Sequence, residues 1–278
     1  GKKYFYENPL EGKCVNRWDW HLCPCCPPMF FKILSELPSY IYSYDDNDLF
    51  VNQYIGSSAD VLINNNWVKV SQVSEMPWDG NISITITPVS QTRFNLKLRV
   101  PGYVRGIENP GYLYTSIDTA SDDLDILLNG KKINGSIVDG YFNIDHFWTP
   151  GDKVQIRFPL PVRTIKSHSL VEENKEKVAF MIGPILYCFE SIDNQKLNEA
   201  ILKPGFEPTF SGKMDGMDNA TTISVNSNIG EIKGIPFYLQ NNRKDDQSIR
   251  VWIPTTDEAN NEIPTRERPR EISSSEEN

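Results

Sequence analysis

Basic charge, long apolar runs, histidine and helical periodicity are all scarce in this chain of 278 residues, and each scarcity excludes something. With 28 Lys and Arg against 37 Asp and Glu the formal charge is −9, and no basic patch stands out, so nucleic acid is excluded as a partner. No apolar run reaches the roughly 18–20 residues of a spanning helix, which excludes a helical membrane anchor. Nor does the chain open on a charged segment followed by an apolar one, as a secretory leader would. Five Cys are odd in number and too few for a disulfide scaffold, so the compartment stays open. The 39% hydrophobic share still suffices for one large or two ordinary globular domains.

Helical spacing occurs convincingly once. Pro27 or Pro28 suits a first helical turn, Phe30, Ile33, Leu34 and Leu37 follow at helical intervals, and Pro38 ends the run. Before it, residues 1–26 are rich in aromatics, Pro and Cys and read as a long loop. From Tyr40 the period becomes two: Leu49 to Ile55, Trp67 to Val73, Ile82/Ile84/Ile86 and Phe94/Leu96/Leu98/Val100 alternate with polar residues, the pattern of half-buried antiparallel strands. Asn64-Asn65-Asn66, Asp79-Gly80, Asn129-Gly130 and Gly151-Asp152 supply the turns. A polar break at Glu172 to Lys177 precedes an apolar run, Val178 to Glu190, and strands are then expected at Thr222 to Val225, Phe237 to Leu239 and Ile249 to Ile253. The expected architecture is mainly β, with tandem antiparallel β-sandwich domains at 39–172 and 173–256, the loop and helix of 1–38 before them, and a disordered tail at 257–278 whose charged, Ser-rich composition lacks periodicity.

Four of the five Cys lie in the first 26 residues, three of them in Cys23-Pro24-Cys25-Cys26. Adjacent Cys resist pairing with each other, because a disulfide needs a separation and dihedral that a trans peptide opposes. Gathered thiols suit a soft metal or a nucleophile, and a helix starting directly after a thiol lowers its pKa through the dipole and the free N–H groups. A zinc ribbon would need a second Cys or His pair, and the later choices, His146, His168 and Cys188, are isolated. A redox C-x-x-C belongs in a βαβ unit, and none surrounds this one.

The spacing Arg17-x-x-Trp20-x-x-Cys23-x-Cys25-Cys26-Pro27-Pro28 resembles the signature of glycoside hydrolase family 127, the β-L-arabinofuranosidase group. Asn8-Pro9-Leu10-Glu11, Leu49-Phe50-Val51-Asn52-Gln53-Tyr54-Ile55-Gly56, Pro77-Trp78-Asp79-Gly80, Leu98-Arg99-Val100-Pro101-Gly102 and Gly183-Pro184-Ile185-Leu186-Tyr187 fit the same family. The resemblance implies an (α/α)6 barrel upstream, missing from this chain, whose last loop and helix are residues 1–38. It implies that Cys25 is both the nucleophile of a retaining hydrolase and a zinc ligand, and that Cys26 is a second zinc thiolate. It places the acid, a Glu, and two further zinc ligands, a Glu and a Cys, upstream as well, so that the isolated chain would be inactive. The implied substrate is an arabinose-containing oligosaccharide or glycan. Glu7 and Glu11 are expected to be solvated loop residues, Cys23 a buried or supporting thiol, and Trp18 and Trp20 either sugar platforms or loop packing. Met29 and Lys32 depart from the Asn and Arg usual in the family. The alternative is a non-catalytic β-sandwich module, structural or carbohydrate-binding.

Overall fold

The computed structural model describes residues 3, 6–13, 16–20, 25–108, 113–118, 124–214 and 216–256. The tail expected at 257–278, and Cys14 and Cys23, lie outside the described residues.

The first unit is a β-sandwich. One sheet runs Ile137–Val138, Tyr141–Trp148, Thr92–Arg99, Asp48–Val51, Tyr42–Tyr44; the other runs Lys131–Lys132, Asp125–Leu128, Asp152–Arg157, Asn81–Pro88, Asn66–Ser74, Ser57–Ile63. Alternation dictates which side chains fill the space between them. Ile82, Ile84 and Ile86 are buried while Ser83 and Thr85 are only partly so. Facing them, Leu49, Val51, Leu96, Leu98 and Trp148 complete the same core. The turns form where the sequence supplies residues that tolerate left-handed backbone: Asn64 and Asn65 (φ 51° and 57°) and Asn129-Gly130 (φ 50° and 77°). One pairing departs from the antiparallel expectation, since Asp48–Val51 runs parallel to Thr92–Arg99 with Leu49 opposite Leu96. The intervening strands cross to the other sheet, so the chain returns in the same direction.

The second unit is built on one ten-stranded sheet whose main path is Thr209–Met214, Met217–Ser227, Gly230–Pro236, Ile185–Glu190, Lys177–Ile182, Val162–Ser167, Tyr114–Ser116. Its central strands are buried on both faces, which is why Val178 to Glu190 reads as a nearly continuous apolar run. Val178, Phe180 and Phe189 enter one core, Ala179 and Cys188 the other. Three expectations are corrected here. Val162–Ser167 pairs with Lys177–Ile182, so the second unit takes in a strand that precedes the polar break at Glu172 to Lys177. Phe237–Leu239 is a 3-10 turn rather than a strand, directly after Gly230–Pro236, whose last residue, Pro236, has no N–H with which to continue the ladder. The N-terminal stretch is not all loop, because Glu11–Lys13 pairs with Ser248–Arg250 at the edge of this sheet.

Candidate active site at the cysteine pair

Among the described residues the single α-helix spans Cys26–Glu36, with Cys25 as its N-cap and Pro27 and Pro28 in its first turn, where an N–H is not needed. The thiols stand at the positive N-terminal end of the helix, and no acidic residue occupies the first turn to offset it. Cys25 and Cys26 are both exposed, with Sγ atoms 3.6 Å apart. The Tyr6 hydroxyl lies 3.4 Å from Cys26 Sγ, and its ring stacks on Trp18 at 5.6 Å between centroids. Trp18 is therefore engaged in packing, while Trp20 is 67% exposed.

Zinc, which the resemblance implies, can be tested against this pair. Two thiolates on one tetrahedral zinc, each about 2.3 Å from the metal, lie roughly 3.8 Å apart. The observed sulfur separation fits that span, and both ligands are of the soft type zinc takes. Among the described residues no third His, Cys, Asp or Glu joins them. His146 instead sits 3.5 Å from Asp152 on the first sandwich, His168 offers Nδ1 to the Leu170 amide, and Cys188 is in the core.

No residue of the helix is buried: Met29, Phe30, Phe31, Ile33 and Leu34 are each at least half exposed, and Lys32 pairs with Glu36 at 3.9 Å. An 11-residue helix without a packed face is marginal on its own in water.

What holds the cysteine segment is the second β-unit. The Glu11 carboxylate takes Arg250 at 3.0 Å and Lys177 at 3.1 Å, which corrects its expected role as a merely solvated residue; Glu7 is exposed. Burial tends to raise the Glu11 carboxyl, but the two cations outweigh it and hold it below its ordinary value. Asn16 Oδ1 accepts from the Asp246 amide at 2.9 Å. Arg17 donates to the carbonyls of Tyr238 and Gln240, both at 3.0 Å.

The dispersed motifs also converge elsewhere. Gln53, Arg99, Tyr103 and Pro184 line a cavity of about 470 Å³ at the junction of the two units, with the buried Arg163–Glu108 ion pair in its wall. Gly80 is required by close approach, because a Cβ there would fall 2.0 Å from the Phe158 carbonyl oxygen.

Residues 48–160 match the model of the β-L-arabinofuranosidase GH127 middle domain, and residues 162–254 match that of the glycoside hydrolase family 127 C-terminal domain. The chain belongs to glycoside hydrolase family 127. What it holds of the family is the C-terminal portion, the two β-units described above. A curated non-reducing end β-L-arabinofuranosidase from Bifidobacterium longum is 30% identical over 213 residues, 70% of this family 127 chain and 29% of that protein. A solved GH127 β-arabinofuranosidase superposes with a TM-score of 0.83 at 28% identity, over 92% of this chain and 42% of that one. The GH127 β-L-arabinofuranosidase of Geobacillus stearothermophilus T6 gives 0.76 at 28% identity, over 92% and 43%. The chain thus spans less than half the length of these relatives. Sequence reasoning missed the anchors that seat the cysteine segment, Arg17 on the Tyr238–Gln240 turn and Glu11 on Arg250, since partners so distant in sequence leave no local signal.

Proposed function

We propose that this chain supplies the nucleophile of a retaining β-L-arabinofuranosidase-type hydrolase whose acid lies in an upstream (α/α)6 barrel. The observation that carries the reading is the exposed Cys25–Cys26 pair at the start of a helix with no acidic residue in its first turn. Cys25 and Cys26 would hold zinc, which when bound keeps sulfur ionised at neutral pH. The Cys25 thiolate attacks the anomeric carbon of an arabinofuranoside, and the bond from that carbon to the leaving oxygen breaks as a carboxylic acid protonates the oxygen. Water then cleaves the sulfur–carbon bond, giving its proton to the same carboxylate and releasing the sugar with its configuration retained. The exposed Phe30, Phe31, Ile33 and Leu34 fit a helix whose apolar side belongs against the barrel. The substrate is an arabinose-containing oligosaccharide or glycan.

An aryl β-L-arabinofuranoside tests this. The isolated chain is expected to give no turnover, and the enzyme carrying the barrel is expected to lose turnover on Cys25→Ser. Turnover by the isolated chain, or an active Cys25→Ser enzyme, overturns the reading.

A further inference from the structure

Arg17 stands where the cysteine segment meets the second β-unit. Its Nη2 reaches Tyr238 O and Gln240 O, both at 3.0 Å, and its Nε adds a second contact to Gln240 O at 3.3 Å. Those carbonyls lie in and just after the 3-10 turn Phe237–Leu239. The turn is itself fixed: the Asn241 amide donates to the fully buried carboxylate of Glu190, which also takes Arg243 at 2.7 Å. The next residue along from Arg17 is Trp18, which stacks on Tyr6, and the Tyr6 hydroxyl touches Cys26 Sγ, itself 3.6 Å from Cys25 Sγ. An unbroken chain of contacts therefore runs from the core of the second β-unit to the thiols.

We infer that Arg17 is a positioning residue: its grip on the Tyr238 and Gln240 carbonyls seats Trp18 and Tyr6 beneath the cysteine pair, so that the second β-unit sets where the thiols stand. Its bearing on catalysis rests on the reading of Cys25 as nucleophile; the grip itself does not. A planar guanidinium holds its donors in one rigid fork, whereas a Lys ammonium carries its three N–H donors as a compact charge on a flexible stem. A nucleophile must be held to within a fraction of an ångström of its target, and a loop on a flexible arm is not.

Two measurements on the whole chain test the inference: hydrogen exchange at residues 16–20, and the rates at which iodoacetamide alkylates Cys25 and Cys26, read separately by mass spectrometry. In the native chain the two thiols are expected to react at different rates, because the Tyr6 hydroxyl lies against the Cys26 sulfur. Arg17→Gln is expected to speed exchange at least tenfold and bring the two rates to within twofold, with the thermal midpoint of the β-units unchanged. Arg17→Lys should restore protection only in part. Tyr6→Phe should bring the two rates together without changing exchange, a result that general loosening of the loop does not give. Native exchange in Arg17→Gln overturns the inference, and so does faster exchange with an unaltered rate ratio. Should Cys25→Ser leave the barrel-carrying enzyme active, the nucleophile reading falls while exchange and alkylation still decide the role of Arg17.

Discussion

Trp78 and Tyr238 meet edge to face, ring centroids 5.8 Å apart and planes at 62°. Trp78 belongs to the turn ahead of Asn81–Pro88 in the first sandwich, and Tyr238 to the 3-10 turn of the second unit whose carbonyl Arg17 takes. Both β-units and the cysteine segment thus share one small contact. Trp78→Ala is expected to destabilise the chain by about 1–2 kcal/mol, and Trp78→Phe by less, in denaturant titrations. Equal stability for all three chains would show that the contact carries no weight.

Alternation in the first sandwich makes neighbouring substitutions diverge. Ile84 is fully buried and Ser83 is not, so Ile84→Ala should cost about 2–5 kcal/mol while Ser83→Ala stays within about 0.5 kcal/mol. Comparable losses for the two would contradict the register.

The Glu108–Arg163 pair has side chains only 4% and 6% exposed, and Arg163 also donates to the Gly183 carbonyl at 2.6 Å. Removing one partner strands the other charge out of water. Glu108→Ala is expected to cost about 3–5 kcal/mol, whereas replacing both residues by Leu and Met should recover much of that loss. The midpoint of thermal unfolding for the single and double variants checks it.

Asp48 receives Lys97 at 2.5 Å and Asn95 at 2.8 Å; burial pushes its carboxyl up, but these partners outweigh burial and hold it below its ordinary value. A depressed carboxylate stabilises the fold above the unfolded pKa, and that contribution is lost as pH falls through the folded one. Asp48→Asn should therefore be less stable than the native chain at pH 7 and lose less stability on going from about pH 5 to pH 3. Urea titrations at the three pH values give the answer; parallel pH curves for the two chains would refute it.

On the proposed reading, in which one sulfur is both nucleophile and zinc ligand, Cys25→Ala in an enzyme carrying the barrel is expected to abolish turnover and reduce bound zinc. Cys26→Ala should retain the nucleophile but release zinc more readily, and Cys23→Ala should leave both properties near native. Zinc content and arabinofuranoside turnover, measured together, distinguish the three; a Cys23→Ala enzyme as damaged as Cys25→Ala would reverse the roles.

The sequence by itself determined most of the strand pattern and the place of the gathered thiols at the start of the helix. Ile82, Ile84 and Ile86 alternate with polar residues, Asn129-Gly130 turns where left-handed backbone is needed, and Pro27-Pro28 opens the helix, because these preferences act between neighbours. Only the tertiary structure decided which strands pair. Val162–Ser167 joins the second unit despite the later polar break, Tyr114–Ser116 pairs with it from far back along the chain, and Leu49 lies parallel to Leu96, since hydrogen-bond partners far along the chain impose no period on either segment. The same holds for the cysteine segment. Its thiols were legible from their spacing, but Arg17 on Gln240 and Glu11 on Arg250 arise only when the fold brings the two ends of the chain together.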